Sequence, residues 1–181
     1  MSTLTIDTHE FTRLGQQAEG VLAITDLPRL DATRAGEATP LHWSLQGESL
    51  LGPDGSRTAL LRLNVQTRLE VACVRCLEPV WVELDLIRPY RLVGSEAQAE
   101  QEDAEDDEVD VLVASRSFDL AGLIEDEAIM ALPLAPRHSH CTLPASLPAD
   151  PPPAAAAVSL DSPDRPLPFA ALEKLKSRGS Q

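Results

Sequence analysis

The feature that most constrains the fold is a pair of alternating segments on either side of a Cys-x-x-Cys turn. From residue 61 to 71 the odd positions carry apolar side chains or threonine and the even positions carry polar ones; residues 80 to 86 repeat the scheme. Successive side chains of a β-strand point to opposite faces, so each segment predicts a strand with one buried face. Joined by the turn at 73–79, they predict an antiparallel hairpin. A slip of one residue would exchange its core and solvent faces.

The rest of the chain predicts an α+β fold. Strands are expected at 21–24, 41–47, 58–72 and 109–113. A short helix is expected after Thr8, and a longer one opens at Asp119 and stops at Pro133. One side of the longer helix is apolar: Leu120, Leu123, Ile124, Ala128 and Ala131. We therefore expect a hairpin-rich antiparallel sheet, open or barrel-like, with one or two packing helices.

Composition divides the chain into a domain and a C-terminal arm. Residues 1–141 of the 181 are long enough for one α+β domain, which includes an acidic loop at 94–110. Residues 142–166 are rich in Pro and Ala and predict a flexible linker. Residues 167–181 predict a short amphipathic helix that docks on a partner. Its apolar side carries Phe169, Leu172 and Leu175.

The charge of the chain restricts its partners. A formal net charge of -14 argues against general binding to polyanions, because nonspecific affinity for nucleic acid comes largely from Lys and Arg. Any RNA contact must then be local or indirect, and the candidates for a local contact are Arg62, Arg68 and Arg75 on the polar side of the hairpin. The alternative is that these arginines are ordinary surface residues balanced by acidic neighbours. The acidic loop is either a surface for a basic protein or simply a solvated loop.

The thiols admit two interpretations. Cys73 and Cys76 have the spacing of half a zinc site, and Cys141 with His138 or His140 offers the other half. Alternatively, the two hairpin cysteines pack as small apolar side chains. A thioredoxin-like redox role is disfavoured because the pair lies between strands rather than at the start of a helix.

The thiols also bear on the cellular compartment. Three cysteines, an odd number, fit a reducing compartment, where thiols serve metals more often than disulfides. The first ten residues lack the pattern of a secretory signal, and the chain has no apolar run long enough to span a bilayer. A cytoplasmic location without membrane contact is therefore expected.

The sequence predicts no enzyme. It contains no glycine-rich phosphate loop, no His-Glu-x-x-His and no Gly-x-Ser-x-Gly motif. A nuclease built on Asp119, Glu125 and Asp126 would need carboxylates that converge, whereas Asp119 and Asp126 lie about two helical turns apart at ~3.6 residues per turn. We interpret 125–127 as the exposed face of the helix.

Three segments in a fixed order resemble the YceD family of large ribosomal RNA subunit accumulation proteins. The first is CVRCLEPV at 73–80. The second combines FDL at 118–120, IEDE at 124–127, ALPL at 131–134 and His138. The third is PFAALEKLK at 168–176. Together they extend over roughly the second two-thirds of the chain.

The resemblance implies a bacterial cytoplasmic ribosome-biogenesis factor that supports the synthesis, processing or stability of large-subunit (23S) ribosomal RNA. It implies no catalytic activity and no small-molecule substrate. The expected partner is the large-subunit rRNA precursor, a basic ribosomal protein or a processing factor. Some relatives carry more cysteines near the tail than this chain, which has only Cys141 with His138 and His140 there. The rival hypothesis is a zinc-binding adaptor for protein interactions without an RNA role.

Overall fold

The computed structural model describes residues 4–52, 55–105 and 109–142 of the chain. Within these ranges the elements follow in this order: β1 Thr5–Ile6, α1 Thr8–Arg13, β2 Gln17–Leu22, α2 Pro28–Asp31, β3 Arg34–Ala38, β4 Leu41–Leu51, β5 Arg57–Ala72, β6 Pro79–Val93, α3 Glu96–Glu105, β7 Asp110–Val113, β8 Phe118–Asp119 and α4 Leu120–Met130. A 3-10 turn at Ile24–Asp26 precedes α2. The expected α+β class is confirmed.

The hairpin of β5 and β6 is the centre of the fold. Its antiparallel register runs from the pair Ala59 and Leu92 to the pair Ala72 and Pro79. The odd positions of β5 from 61 to 71 are buried, whereas the even ones lie toward solvent or are half-buried. The hairpin predicted from the alternating pattern is thus confirmed, with the predicted buried face.

The main sheet has six strands and is open. Its order is β2-β4-β5-β6-β7, and β3 pairs with β5 beyond the end of β4. All pairs are antiparallel except β6 with β7, which is parallel. An entirely antiparallel sheet was expected, and β7 departs from it because the chain returns through α3 before pairing, as parallel neighbours require. With β2 and β7 at opposite ends of this order, the sheet does not close into a barrel.

A two-stranded sheet leads into the long helix. β1 pairs with β8 through Thr5 opposite Asp119, and Asp119 then caps α4 by accepting a hydrogen bond from the Gly122 N–H at 3.0 Å. The helix start predicted at Asp119 is confirmed. The side chains of α4 that complete the core are Leu120, Ile124 and Ala128, and all three are fully buried.

The N-terminal elements differ in detail from the expectation. The cap of α1 is Asp7, whose carboxylate accepts hydrogen bonds from the N–H groups of His9 and Glu10. Thr8 is instead buried, and its hydroxyl donates to the Ser115 carbonyl. The strand expected at 21–24 is β2, which begins at residue 17 and ends before the 3-10 turn.

The segment expected to be an acidic loop contains a helix. α3 occupies Glu96–Glu105, within the predicted loop at 94–110. Glu, Gln and Ala all have high helix propensity, so the run of acidic residues does not prevent a helix. Ser95 caps its N-terminus, because the Ser95 hydroxyl accepts from the Gln98 N–H, and the Gln98 side chain in turn accepts from the Gly94 N–H. Along the described part of the chain, no helix combines the length and apolar character needed to cross a membrane.

Candidate metal centre

The Cys-x-x-Cys turn folds back on itself through backbone hydrogen bonds. The Cys73 N–H donates to the Glu78 carbonyl and the Leu77 N–H donates to the Cys73 carbonyl, both at 2.9 Å. Leu77 adopts a left-handed backbone with φ of 66°. This tight reversal turns the thiols of Cys73 and Cys76 to the same side.

The segment after α4 supplies the other half of the cluster. The Val74 N–H donates to the Pro136 carbonyl at 2.9 Å, which fixes this segment against the turn. As a result, one ligand atom from each of Cys73, Cys76, His138 and Cys141 lies within 4.8 Å of the other three. The structure therefore brings together all four residues predicted as metal ligands, and the alternative histidine, His140, is not in the group.

The spacing of these atoms fits a tetrahedral zinc ion. Zinc bonds of about 2.3 Å to sulfur and 2.1 Å to nitrogen place sulfurs ~3.8 Å apart and sulfur and nitrogen ~3.6 Å apart. In the structure the Sγ atoms of Cys73 and Cys141 are 3.9 Å apart, and Cys76 Sγ lies 3.4 Å from His138 Nδ1. Cys73 is fully buried and the other three residues are half-buried, so the cluster is partly shielded from water.

The orientation of His138 suits metal binding. Its Nε2 lies 2.9 Å from the Pro79 carbonyl oxygen, which can only accept, so Nε2 carries the proton and donates. In the tautomer with its proton on Nε2, Nδ1 presents its lone pair toward Cys76 Sγ, 3.4 Å away, as a metal ligand would. A backbone carbonyl that orients a ligating histidine in this way is the usual outer support of a zinc site.

The pKa values of the Cys73 and Cys141 thiols are shifted in opposite directions. The pKa of Cys73 is lowered to about 5, chiefly because the Cys76 N–H donates to its sulfur. Burial opposes this effect, and the N–H groups of Arg75 and His138 reinforce it. The pKa of Cys141 is raised by burial and by the adjoining Cys73 sulfur. Because zinc binds cysteine as the thiolate, a cation held among these sulfurs would oppose the effect that raises the pKa of Cys141.

The three arginines predicted to contact RNA or a partner do not come together. Arg62 and Arg68 both lie on the outward side of β5, six residues and therefore ~20 Å apart. The Arg68 guanidinium stacks 4.3 Å from the ring centroid of Trp81 and lies 3.9 Å from Glu83. Arg75 is in the turn of the metal cluster.

The acidic residues of α4 correct one sequence interpretation. Glu125 and Glu127 are buried rather than exposed. Glu125 accepts hydrogen bonds from the N–H groups of Arg29 and Leu30 and from the Arg29 side chain. Glu127 pairs with the Arg88 guanidinium of β6 at 3.1 Å. Both carboxylates therefore stabilise packing, because each has cationic or N–H partners from another element.

The chain is similar in sequence to proteins of one known family. The chain belongs to the family described as large ribosomal RNA subunit accumulation protein YceD, whose model matches residues 61–176. It is 33% identical over 97 residues to the protein of that name from Haemophilus influenzae. The alignment covers 51% of this chain and 53% of the relative, so the chain spans about half the length of the curated relative it matches. No solved structure matches the chain.

Two predictions lie outside the described residues. These are the linker at 142–166, of which only residue 142 is described, and the docking helix with Phe169, Leu172 and Leu175. Both stay predictions, although the family match extends through residue 176.

Proposed function

We propose that this protein is a cytoplasmic, non-enzymatic ribosome-biogenesis factor that supports the accumulation of large-subunit ribosomal RNA. The observation that carries the proposal is the family match, which includes the Cys-x-x-Cys turn, α4 and the predicted C-terminal helix. The name of the relative from Haemophilus influenzae supports the same function. The partner is the 23S precursor or a basic protein that acts on it.

The direct test is removal of the protein from its host cell. Large-subunit rRNA should fall relative to small-subunit rRNA, and a plasmid copy of this chain should restore the ratio. Mapping the ends of the 23S precursor then separates a defect in processing from one in synthesis or stability. An unchanged ratio together with normal precursor ends would refute the proposed function.

The non-enzymatic assignment is supported by the engagement of the acidic groups. Asp119 caps α4, Glu125 holds α2, and Asp126 pairs with the Arg29 guanidinium at 2.6 Å. Each of these carboxylates thus has a structural partner. A nuclease centre would need several of them to converge on one metal instead.

We further propose that Cys73, Cys76, His138 and Cys141 hold a structural zinc ion. Bound there, zinc would tie the hairpin turn to the segment after α4 and leave no open coordination position for catalysis. Two observations support this assignment over the alternative in which the thiols only pack as apolar side chains. The distances from Cys73 Sγ to Cys141 Sγ and from Cys76 Sγ to His138 Nδ1 are close to those between ligands of a tetrahedral zinc ion, and the Pro79 carbonyl orients the histidine.

Metal analysis tests the zinc site. We expect about one zinc per chain and a lower melting temperature after chelation, because metal binding is coupled to folding. Cys76→Ser should lose the metal, whereas His140→Ala, outside the group of four, should keep it. A metal-free protein that melts identically with and without chelator would leave the thiols as packing residues.

The rival function is a zinc-binding adaptor without an RNA role, and the Cys3His cluster is the observation in its favour. It predicts stoichiometric zinc together with an unchanged ratio of ribosomal RNAs after removal of the protein. The proposed function predicts that zinc-free variants fail to restore the ratio.

A further inference from the structure

The metal end of the molecule exposes a small apolar surface beside two arginines. Val74 and Leu77 project from the turn with 57% and 71% of their surface exposed. The hydrogen bond from the Val74 N–H to the Pro136 carbonyl joins the two backbones there. Arg75 follows Val74 in the chain and Arg137 follows Pro136, and both arginines are exposed. We call Val74, Arg75, Leu77 and Arg137 the knuckle surface.

The two arginines differ from most others in the molecule. Six arginines form ion pairs with acidic side chains: Arg13, Arg29, Arg34, Arg68, Arg88 and Arg91. Within the described ranges, Arg75 and Arg137 form none. In a chain with a net charge of -14, this end of the molecule brings two exposed arginines, on segments joined by a hydrogen bond, against one exposed acidic residue of the turn, Glu78. That local balance of charge favours an anionic partner.

From these observations we propose that the knuckle surface binds single-stranded RNA. Arg75 and Arg137 contact phosphates, and Val74 and Leu77 lie against the faces of unpaired bases. The inference rests on the proposed function for its choice of RNA, and it specifies which surface makes the contact. Single strands are favoured because a duplex hides base faces, whereas loops and ends expose them to apolar or aromatic side chains.

The outward face of the sheet is a weaker candidate for the same contact. Its Arg68 is already engaged by Trp81 and Glu83, and its Arg62, which forms no ion pair within the described residues, lies ~20 Å away along β5. Glu83 and Asp85 are also exposed on this face of β6, and their charges oppose a phosphate backbone. Arg57, Arg62 and Arg116 also form no ion pair within the described residues, so the absence of a partner does not by itself single out the knuckle surface. The knuckle surface is the stronger candidate because it combines two such arginines, on segments joined by a hydrogen bond, with two exposed apolar side chains.

The test measures binding of the zinc-loaded full chain to a fluorescent single-stranded RNA of twelve nucleotides. The double variant Arg75→Glu with Arg137→Glu should bind at least tenfold more weakly. Its log Kd should also depend less on log salt, by about 1.4, because two phosphate contacts at ~0.7 each are lost. The matched control is Arg57→Glu with Arg116→Glu, which makes the same charge change at two other exposed arginines that form no ion pair within the described ranges. The control should change Kd less than threefold.

A second variant tests the apolar half without changing charge. Val74→Ser with Leu77→Asn removes both apolar side chains, and asparagine tolerates the left-handed backbone at position 77. Binding should weaken several-fold with the salt dependence unchanged, because apolar contacts release no counterions. Zinc content and melting temperature establish that each variant is folded.

Several outcomes would overturn the inference. Equal weakening by the knuckle and control variants would mean a general effect of charge, and tighter binding to duplex than to single strands would exclude base contacts. If RNA binding is unaffected while a ribosomal protein is no longer retained, the surface belongs to a protein partner. A charge-reversed variant that fully restores ribosomal RNA in cells lacking the protein would refute this surface but not the function. Conversely, a normal rRNA ratio after deletion would refute the function and leave the oligonucleotide result standing.

Discussion

Replacing Glu125 is the sharpest test of how the fold is held together. Its side chain is only 7% exposed and bridges two helices. One carboxylate oxygen accepts from the N–H groups of Arg29 and Leu30 at 2.6 and 3.1 Å, and the other accepts from the Arg29 side chain at 2.9 Å. The two backbone groups belong to the first turn of α2, where N–H groups have no partner within the helix.

The contacts of Glu125 determine how much its replacement should lower the free energy of unfolding. Two charge-assisted hydrogen bonds to backbone N–H groups contribute ~1.5 to 3 kcal/mol each. The ion pair with the Arg29 guanidinium, whose side chain is 55% exposed, adds little because solvent screens it. We therefore expect Glu125→Ala to lower the free energy of unfolding by about 3 to 4 kcal/mol. Glu125→Gln keeps an acceptor for the N–H groups but loses the charge, and should cost about 1 to 2 kcal/mol. Asp126→Asn, whose ion pair is exposed, should cost less than about 1 kcal/mol.

Urea unfolding of the purified protein measures these differences, with metal content checked before each titration so that all variants are compared in the same state. The expected order of destabilisation is Ala above Gln at position 125, and both above Asn at position 126. If Glu125→Ala costs under about 1 kcal/mol, the carboxylate does not hold α2. If Gln costs as much as Ala, the charge rather than the backbone contacts is responsible.

Three further predictions follow from the backbone and the tail. Leu77→Gly should stabilise the protein by about 0.5 to 1 kcal/mol in urea unfolding, because glycine adopts the left-handed backbone at this position without strain. The control Val74→Gly should destabilise the protein. A loss of stability in Leu77→Gly would contradict this account. Gly47→Ala should cost about 1 to 3 kcal/mol because a Cβ would lie 2.8 Å from the Phe11 carbonyl oxygen, whereas Gly94→Ala, with ordinary contacts, should be nearly neutral. Truncation after Pro153 should leave the melting temperature almost unchanged yet abolish the effect on ribosomal RNA; a large loss of stability would show that the predicted helix packs on its own domain.

Where the sequence predicted the fold well, a local pattern and the tertiary structure agree. The alternation of residues 61 to 71 survives in the structure because one face of β5 is buried along its length. Asp119 starts α4 because a carboxylate before an apolar run satisfies a free N–H group wherever the helix packs. The Cys-x-x-Cys spacing likewise predicted the half-site that the segment at 136–141 completes.

Where the sequence failed, the decisive partner is distant in the chain. Glu125 and Glu127 resemble an exposed acidic run, and only Arg29 and Arg88, on other elements, make their burial favourable. Arg137 showed no functional pattern in the sequence, because only the hydrogen bond between Val74 and Pro136 brings its segment to the Cys-x-x-Cys turn. The helix α3 had a local signal in Ser95 and Gln98, but the acidic composition outweighed it in our interpretation.

The separation of the metal ligands along the chain has a consequence for biosynthesis. Cys73 and Cys141 are 68 residues apart, and β6, α3, β7, β8 and α4 lie between them. At roughly 5 to 20 residues per second, a ribosome that has made the first thiol needs about 3 to 14 s to make the last one. During that interval the hairpin holds only half a coordination sphere. Zinc capture at the proposed four-residue site would therefore follow synthesis of almost the whole domain, so the complete site could form only after both strands of the hairpin have been made.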